Sequence, residues 1–153
     1  MSVPESRQPW AEAYEASDQR EAAGSAAHWK SLITNVDDHL QNHGFLYEGS
    51  GQWRLAPGFD VNPFPDKDRE SKTWLSEESG PITSVEMLMG NAAYFNLPPD
   101  AALQVLREVL DAVLGWRVEA VSAAVGLRTA ELADFAPAFE HEATEAAKTT
   151  VGM

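Results

Sequence analysis

"NVDDHLQNHGFLYEGSGQWRLAPGFDVNPFP", residues 35–65, holds the most informative stretch of this 153-residue chain. It opens on a polar knot. Two aspartates, two histidines and two asparagines fall within the nine positions Asn35 to His43. Two short apolar runs follow, about Phe45 to Tyr47 and Trp53 to Ala56, on either side of "EGSG". Glycine-rich turn residues between two such runs predict a β-hairpin. Asp60 then stands in "LAPGFDVNP", directly after the second run.

The rest of the chain reads mostly as helix. "WAEAYEASDQREAA", from Trp10 to Ala23, has Trp10, Tyr14 and Ser17 at helical spacing, after a loose tail over residues 1–9. Gly24 and Ser25 break that helix, and Ser25 suits the cap of a second one, about Ala26 to Asn35, with Trp29, Leu32, Ile33 and Val36 on one face. Residues 57–82 carry Pro57, Pro63, Pro65 and Pro81 and predict an irregular segment, with one short helical turn near Trp74 and Leu75. Thr83 and Glu86 form a capping-box pattern before a helix to about Asn96, which aligns Val85, Leu88, Ala92 and Phe95. Pro98 and Pro99 stop it and start the next.

From Asp100 to Val125 two apolar stripes predict a central, largely buried helix. One is Leu103, Leu106, Leu110, Val113 and Val121; the other is Val105, Val109, Ala112 and Trp116. Gly126 ends it. A last helix, about Thr129 to Lys148, contains Pro137, which should kink or split it. The expected fold class is mostly α with one short antiparallel β-hairpin.

Composition bounds the function. With 11 Lys and Arg against 24 Asp and Glu, the formal net charge is -13, and such a surface repels phosphate backbones. Direct nucleic-acid binding is therefore not expected, whereas a cationic partner or a metal ion would be favoured; on charge alone, plain solubility is the preferred reading. There is no cysteine, hence no disulfide or thiolate metal site, which suits a reducing cytoplasm. No apolar run is as long as a membrane span, and no cationic-then-apolar signal opens the chain.

Two chemistries fit the knot. His39 and His43 are four apart, as in a helical zinc pair, but the general-base glutamate of an HExxH box is missing. The other chemistry is phosphoryl transfer. Kinase catalytic loops carry an aspartate that accepts the substrate hydroxyl's proton and, in a D-x-x-x-x-N spacing, an asparagine that holds magnesium. Asp37 and Asn42 have that spacing, and Asp60 supplies the later aspartate that the pattern requires. Carboxylate and amide oxygens are hard ligands suited to Mg²⁺. The same polar groups would also serve simply to cap helix ends and tie a loop.

The stretch 35–65 closely resembles the catalytic segment of HipA-like kinases, the serine/threonine kinase toxins of bacterial toxin–antitoxin modules, with their D-D-H-x-x-N-x-x-F-L run, a hairpin, and L-x-P-x-Y-D. "AAHWKSLITNV" before it looks like the family's helix leading into the catalytic loop. "AVLGWRVEAVSAAVGL" and "APAFEH" resemble its closing helices. The resemblance runs from about Trp10 onward and implies a helical C-terminal kinase lobe over residues 10–153. It implies Asp37 as catalytic base and Asn42 and Asp60 as magnesium ligands; for His39, a loop-holding role and an ordinary structural one stand equally. It assigns no role to Asp38 or His43. Gln41 replaces a usual Lys or Arg, and Phe59 a usual Tyr.

The family's ATP-binding lobe lies N-terminal to this segment. The 36 residues before Asp37 contain no glycine-rich phosphate loop, and their one lysine, Lys30, falls on a predicted helix. The expectation is a truncated gene product or half of a split kinase, cytoplasmic and inactive alone. Mg²⁺ and ATP are the cofactors expected of the complete kinase, with weak or absent binding by this chain by itself. The expected partner is the missing N-lobe or an antitoxin-type protein. Without that lobe the aromatics Trp10, Tyr14 and Trp29 are expected to be exposed, so the chain should either self-associate or rearrange its first 35 residues to cover them. The alternative is a non-catalytic interaction module or remnant of such a kinase.

Overall fold

The computed structural model describes residues 32–37, 40–65, 74 and 80–153. The helix expected over Trp10 to Ala23 and most of that over Ala26 to Asn35 lie outside them. So do the Ser25 cap, the surroundings of Trp10, Tyr14 and Trp29, and Asp38, His39 and Leu75. The described part is mostly helical with a single two-stranded antiparallel sheet.

The sheet is the expected hairpin. Strand β1 (Phe45–Gly49) pairs with β2 (Gln52–Leu55) in the register Phe45 to Leu55, Leu46 to Arg54 and Tyr47 to Trp53, with an irregularity between Tyr47 and Gly49. Ser50 and Gly51 form the turn at φ 52° and 79°. Two successive positive φ values are what a hairpin turn matched to strand twist needs. The Tyr47 and Trp53 rings meet across the strands at 5.0 Å between centroids.

The core is made by helices. Helix α1 (Val85–Gly90) continues through a 3₁₀ turn at Ala92–Phe95. Helix α2 (Pro99–Leu114) follows, with Pro98 at the N-cap as expected, and then α3 (Trp116–Ala120). A 3₁₀ turn at Thr129–Glu131 leads into α4 (Leu132–Phe139) and α5 (Glu142–Val151). Leu106, Leu110 and Val113 of α2 pack with Val85, with Ala147 and Val151 of α5, and with Leu32 and Ile33, all buried. Arg107 ties the same two helices, its guanidinium donating to the Val151 carbonyl at 3.4 Å, where a helix end has carbonyls to satisfy. Ala92, Phe95, Leu97 and Ala102 form a smaller second cluster.

Four expectations need correction. The cap of α1 is Ser84, whose hydroxyl accepts from the Met87 amide at 3.1 Å; Thr83 is exposed and turns its hydroxyl to the Met87 sulfur. The helix expected from Asp100 to Val125 ends at Leu114, where Gly115 caps it, and the short α3 follows as a separate helix that ends at Ala120. It is also two-faced and not buried all round: Ala102, Leu106, Leu110 and Val113 are buried, while Ala112 and Val121 are exposed. Trp74 takes part in an isolated antiparallel bridge with Pro81 and not in a helical turn. The division of the last helix is as expected, but it falls at Glu140 and His141, beyond Pro137. The reason is that the His141 side chain accepts from the Ala143 amide and so starts α5 anew. No helix of the described residues is long and apolar enough to cross a membrane.

Candidate functional site

The polar knot hangs from the core at both ends. Leu32 is the last helical residue before it, and the chain turns at Ile33 and Thr34, all three buried. Thr34 adopts φ 54°. Left-handed backbone is a true outlier for a β-branched residue and costs of order 1–3 kcal/mol, so the surroundings must hold it. They do so through three hydrogen bonds. The Thr34 hydroxyl donates to the Ala138 carbonyl at 2.7 Å. The Thr34 carbonyl accepts from the amides of Val36 at 2.9 Å and Phe64 at 3.3 Å.

Asn35, also buried, accepts with its side-chain oxygen from the Asn62 amide at 3.2 Å. Asn62 in turn donates from its side-chain nitrogen to Asp60 Oδ1 at 2.8 Å. A polar relay therefore links the start of the knot to the aspartate beyond the hairpin. Val61, between those two residues, packs on the main core cluster. Asp60 itself is exposed and at φ 53°, a backbone state that aspartate tolerates better than most residues.

The D-x-x-x-x-N spacing closes on itself. After Asp37, which is half-buried, a 3₁₀ turn at Leu40–Asn42 brings Asn42 back, and its side-chain nitrogen donates to the Asp37 carbonyl at 3.0 Å. The amide nitrogen being committed to that bond, Asn42 Oδ1 is turned away from it. The hairpin then leads the chain out and returns it. At its base the Ala56 amide donates to the Gly44 carbonyl at 2.7 Å. A Cβ on Gly44 would stand 3.2 Å from the Ala56 Cβ and 3.3 Å from the Phe59 ring, a close approach that glycine permits. Phe59 thus lies against the residue two positions after Asn42, and Asp60 follows Phe59 directly.

Of the residues proposed from sequence, Asp37 and Asn42 are joined by a hydrogen bond. Asp60 is tied to the same loop through Asn62 and Asn35. Gln41 and Phe59 are exposed and His43 half-buried. Sequence reading missed the structural parts of Asn35, Asn62 and Thr34. An asparagine two residues after an aspartate is a common local-bonding pattern, and that signal was present in "DVN". Among the described residues no group of three or more His, Asp or Glu side chains could hold a metal. A two-ligand arrangement of one amide and one carboxylate is a different and sparser donor set, of the oxygen type that Mg²⁺ accepts alongside water and phosphate.

Comparison with curated proteins and with solved structures found no match. The protein-family model of the HipA-like C-terminal domain matches residues 9–116, which takes in the knot, the hairpin, Asp60, α1 and α2. The resemblance expected over 117–153 lies beyond the matched residues. Since the match covers more than half of its 153 residues, the chain belongs to the HipA-like C-terminal domain family.

Proposed function

We propose that this chain carries the catalytic-loop lobe of a HipA-like serine/threonine protein kinase, which works together with an ATP-binding N-lobe. The observation that carries this reading is the Asn42 to Asp37 hydrogen bond, which gives the D-x-x-x-x-N spacing the closed-loop form a catalytic loop needs. In this reading the Asp37 carboxylate takes the proton of the substrate hydroxyl as its oxygen bonds to the γ-phosphorus and ADP leaves. Asn42 Oδ1 and the Asp60 carboxylate would hold magnesium, which supplies charge neutralisation on the ATP phosphates. Asn62 and Asn35 orient Asp60, and Asn42 fixes the turn behind Asp37. Family membership makes a toxin–antitoxin setting in the cytoplasm the natural context, with an antitoxin-type protein as a further partner. The exposed Tyr47 and Trp53 side chains, which meet across the hairpin, are the apolar surface we assign to the N-lobe.

Phosphoryl transfer depends on positioning and charge stabilisation, so the lobe alone should be inactive and the complete set of parts active. The test is a radiolabelled-ATP assay with a protein substrate, with and without a matching N-lobe in trans. Activity is expected only with the N-lobe, and Asp37→Asn should reduce it roughly 100-fold or more. Transfer that survives this substitution would remove Asp37 from the role. If no combination transfers phosphate, and ATP with Mg²⁺ leaves the melting temperature unchanged, the exposed hairpin surface favours a non-catalytic interaction module.

A further inference from the structure

Two of the hydrogen bonds on the strained Thr34, those its carbonyl accepts from Val36 and Phe64, lie within the part of the chain that matches the family. The bond of its side chain, and a further contact on Leu32 just before it, come from the junction of α4 and α5, residues 138–141, beyond the match at 9–116. His141 is 7% exposed. Its Nε2 faces the Leu32 carbonyl at 3.2 Å, and its Nδ1 faces the Ala143 amide at 3.3 Å. A carbonyl only accepts and an amide N–H only donates, so this network assigns the neutral tautomer with the proton on Nε2. One imidazole therefore has two separable jobs. Nδ1 caps α5, and Nε2–H grips the backbone two residues before Thr34. The Thr34 hydroxyl makes the second attachment, to Ala138. The junction is itself fixed from the other side: Glu140 accepts from Trp116 Nε1 at 3.1 Å and from Arg117, and Phe139 stacks on Trp116 at 4.6 Å.

We infer that His141 and Thr34 are positioning residues for the Asp37 loop, with the α4–α5 junction serving as the brace that keeps Thr34 in its strained conformation and so sets the course of residues 35–37. This deepens the kinase reading and rests on it. The physical reason is the outlier at Thr34. A backbone state that a threonine does not favour persists only where neighbours over-determine it, and here both tethers lead to the same junction. Loss of the Nε2–H contact would let the turn relax and carry Asn35 and Asp37 with it, although neither touches His141 through any bond named above.

The imidazole's two roles can be tested apart, because Asn imitates Nδ1 and Gln imitates Nε2. His141→Asn keeps a good N-cap but cannot reach Leu32; His141→Gln keeps a donor for Leu32 but loses the cap. Amide hydrogen exchange is read at Val36 and Phe64, which both donate to Thr34, and at Leu110 in the core of α2 as the reference. The ratio of loop to core exchange should rise roughly fivefold or more in His141→Asn, the loss of one hydrogen bond's net worth, and should not rise in His141→Gln. No rise in His141→Asn, or an equal rise in both, overturns the inference. Should the His141 variants not fold, Thr34→Val, which keeps the side-chain shape and drops the hydroxyl, is read in the same way, and an unchanged ratio there overturns it. Exchange reads the loop and not phosphate transfer, so an inactive reconstituted kinase would count against the proposed function alone.

Discussion

The helical half and the loop–hairpin segment hold their shapes by opposite means. In residues 85–151 the determinants are apolar and periodic: α2 and α5 press Leu106, Leu110, Val113, Ala147 and Val151 into one cluster. In residues 34–62 they are polar and particular. The strands turn Leu46, Tyr47 and Trp53 outward at 41%, 57% and 38% exposure, so little apolar burial holds the hairpin. A lone two-stranded hairpin is marginal in water. Three residues of this segment, Thr34, Ser50 and Asp60, also adopt positive φ without being glycine, against Asn96 alone in the helical half. The difference teaches where each property is stored. The frame carries stability, and the segment built on it carries strain and exposed polar groups, as parts that bind or react commonly do.

The largest effect that would sharpen this contrast is in the frame. Leu110 is fully buried between α2 and its neighbours. Leu110→Ala removes its burial and leaves a cavity, so unfolding free energy should fall by about 2–5 kcal/mol. Urea denaturation followed by circular dichroism measures it. A fall below about 1 kcal/mol would mean that the cluster is not the principal source of stability.

How much of this was legible in the sequence follows from the same division. Period and turn chemistry act locally, so the hairpin, the α2 start at Pro99 and the division of the last helix could be read directly. The end of α2 at Gly115 could not, since stripe positions continue through Trp116 and a glycine's choice to cap depends on what packs beyond it. The D-x-x-x-x-N spacing was legible because its closing hydrogen bond spans five residues. The bond from Asn35 to Asn62 spans 27 and that from Thr34 to Ala138 spans 104, and no local pattern announces either. Distance along the chain, more than residue type, decided what the sequence disclosed.

The second effect bears on the polar segment. Asn35 is 4% exposed and its side-chain oxygen is the acceptor for the Asn62 amide. Asn35→Ala leaves that amide without its acceptor, which costs about 1–3 kcal/mol. If the segment is a separate, weakly coupled layer, the loss should show as faster amide exchange at Asn62 and Phe64, with the Leu110 amide much less affected. An equal change at all three would break the comparison, because it would place Asn35 in the same cooperative unit as the frame.

The smallest effect concerns the brace that joins the two regions. Arg117 forms a two-pronged ion pair with Glu140, at 2.6 Å and 3.0 Å, and Trp116 adds a third donor to the same carboxylate. The hydrogen bond from Arg117 holds the Glu140 carboxyl below the ordinary glutamate range; burial opposes it in part, and the bond from Trp116 adds a smaller push in the same direction as Arg117. A carboxylate whose folded pKa is depressed stabilises the fold fully above its unfolded value and loses that contribution as pH falls through the folded one. The affected window therefore begins near pH 4.5, glutamate's ordinary value, and extends downward. Both side chains are nearly half exposed, so solvent screening keeps the contribution small. Comparing Glu140→Gln with the unaltered protein in denaturant midpoint at pH 7 and at pH 3 isolates it: the variant should be slightly less stable at pH 7, and the difference should shrink at pH 3. A difference that stays constant across that range would show that Glu140 acts through shape and not through charge. The junction would then owe its rigidity to the Trp116–Phe139 stack, and the pH of the medium would leave the brace, and the loop it holds, untouched.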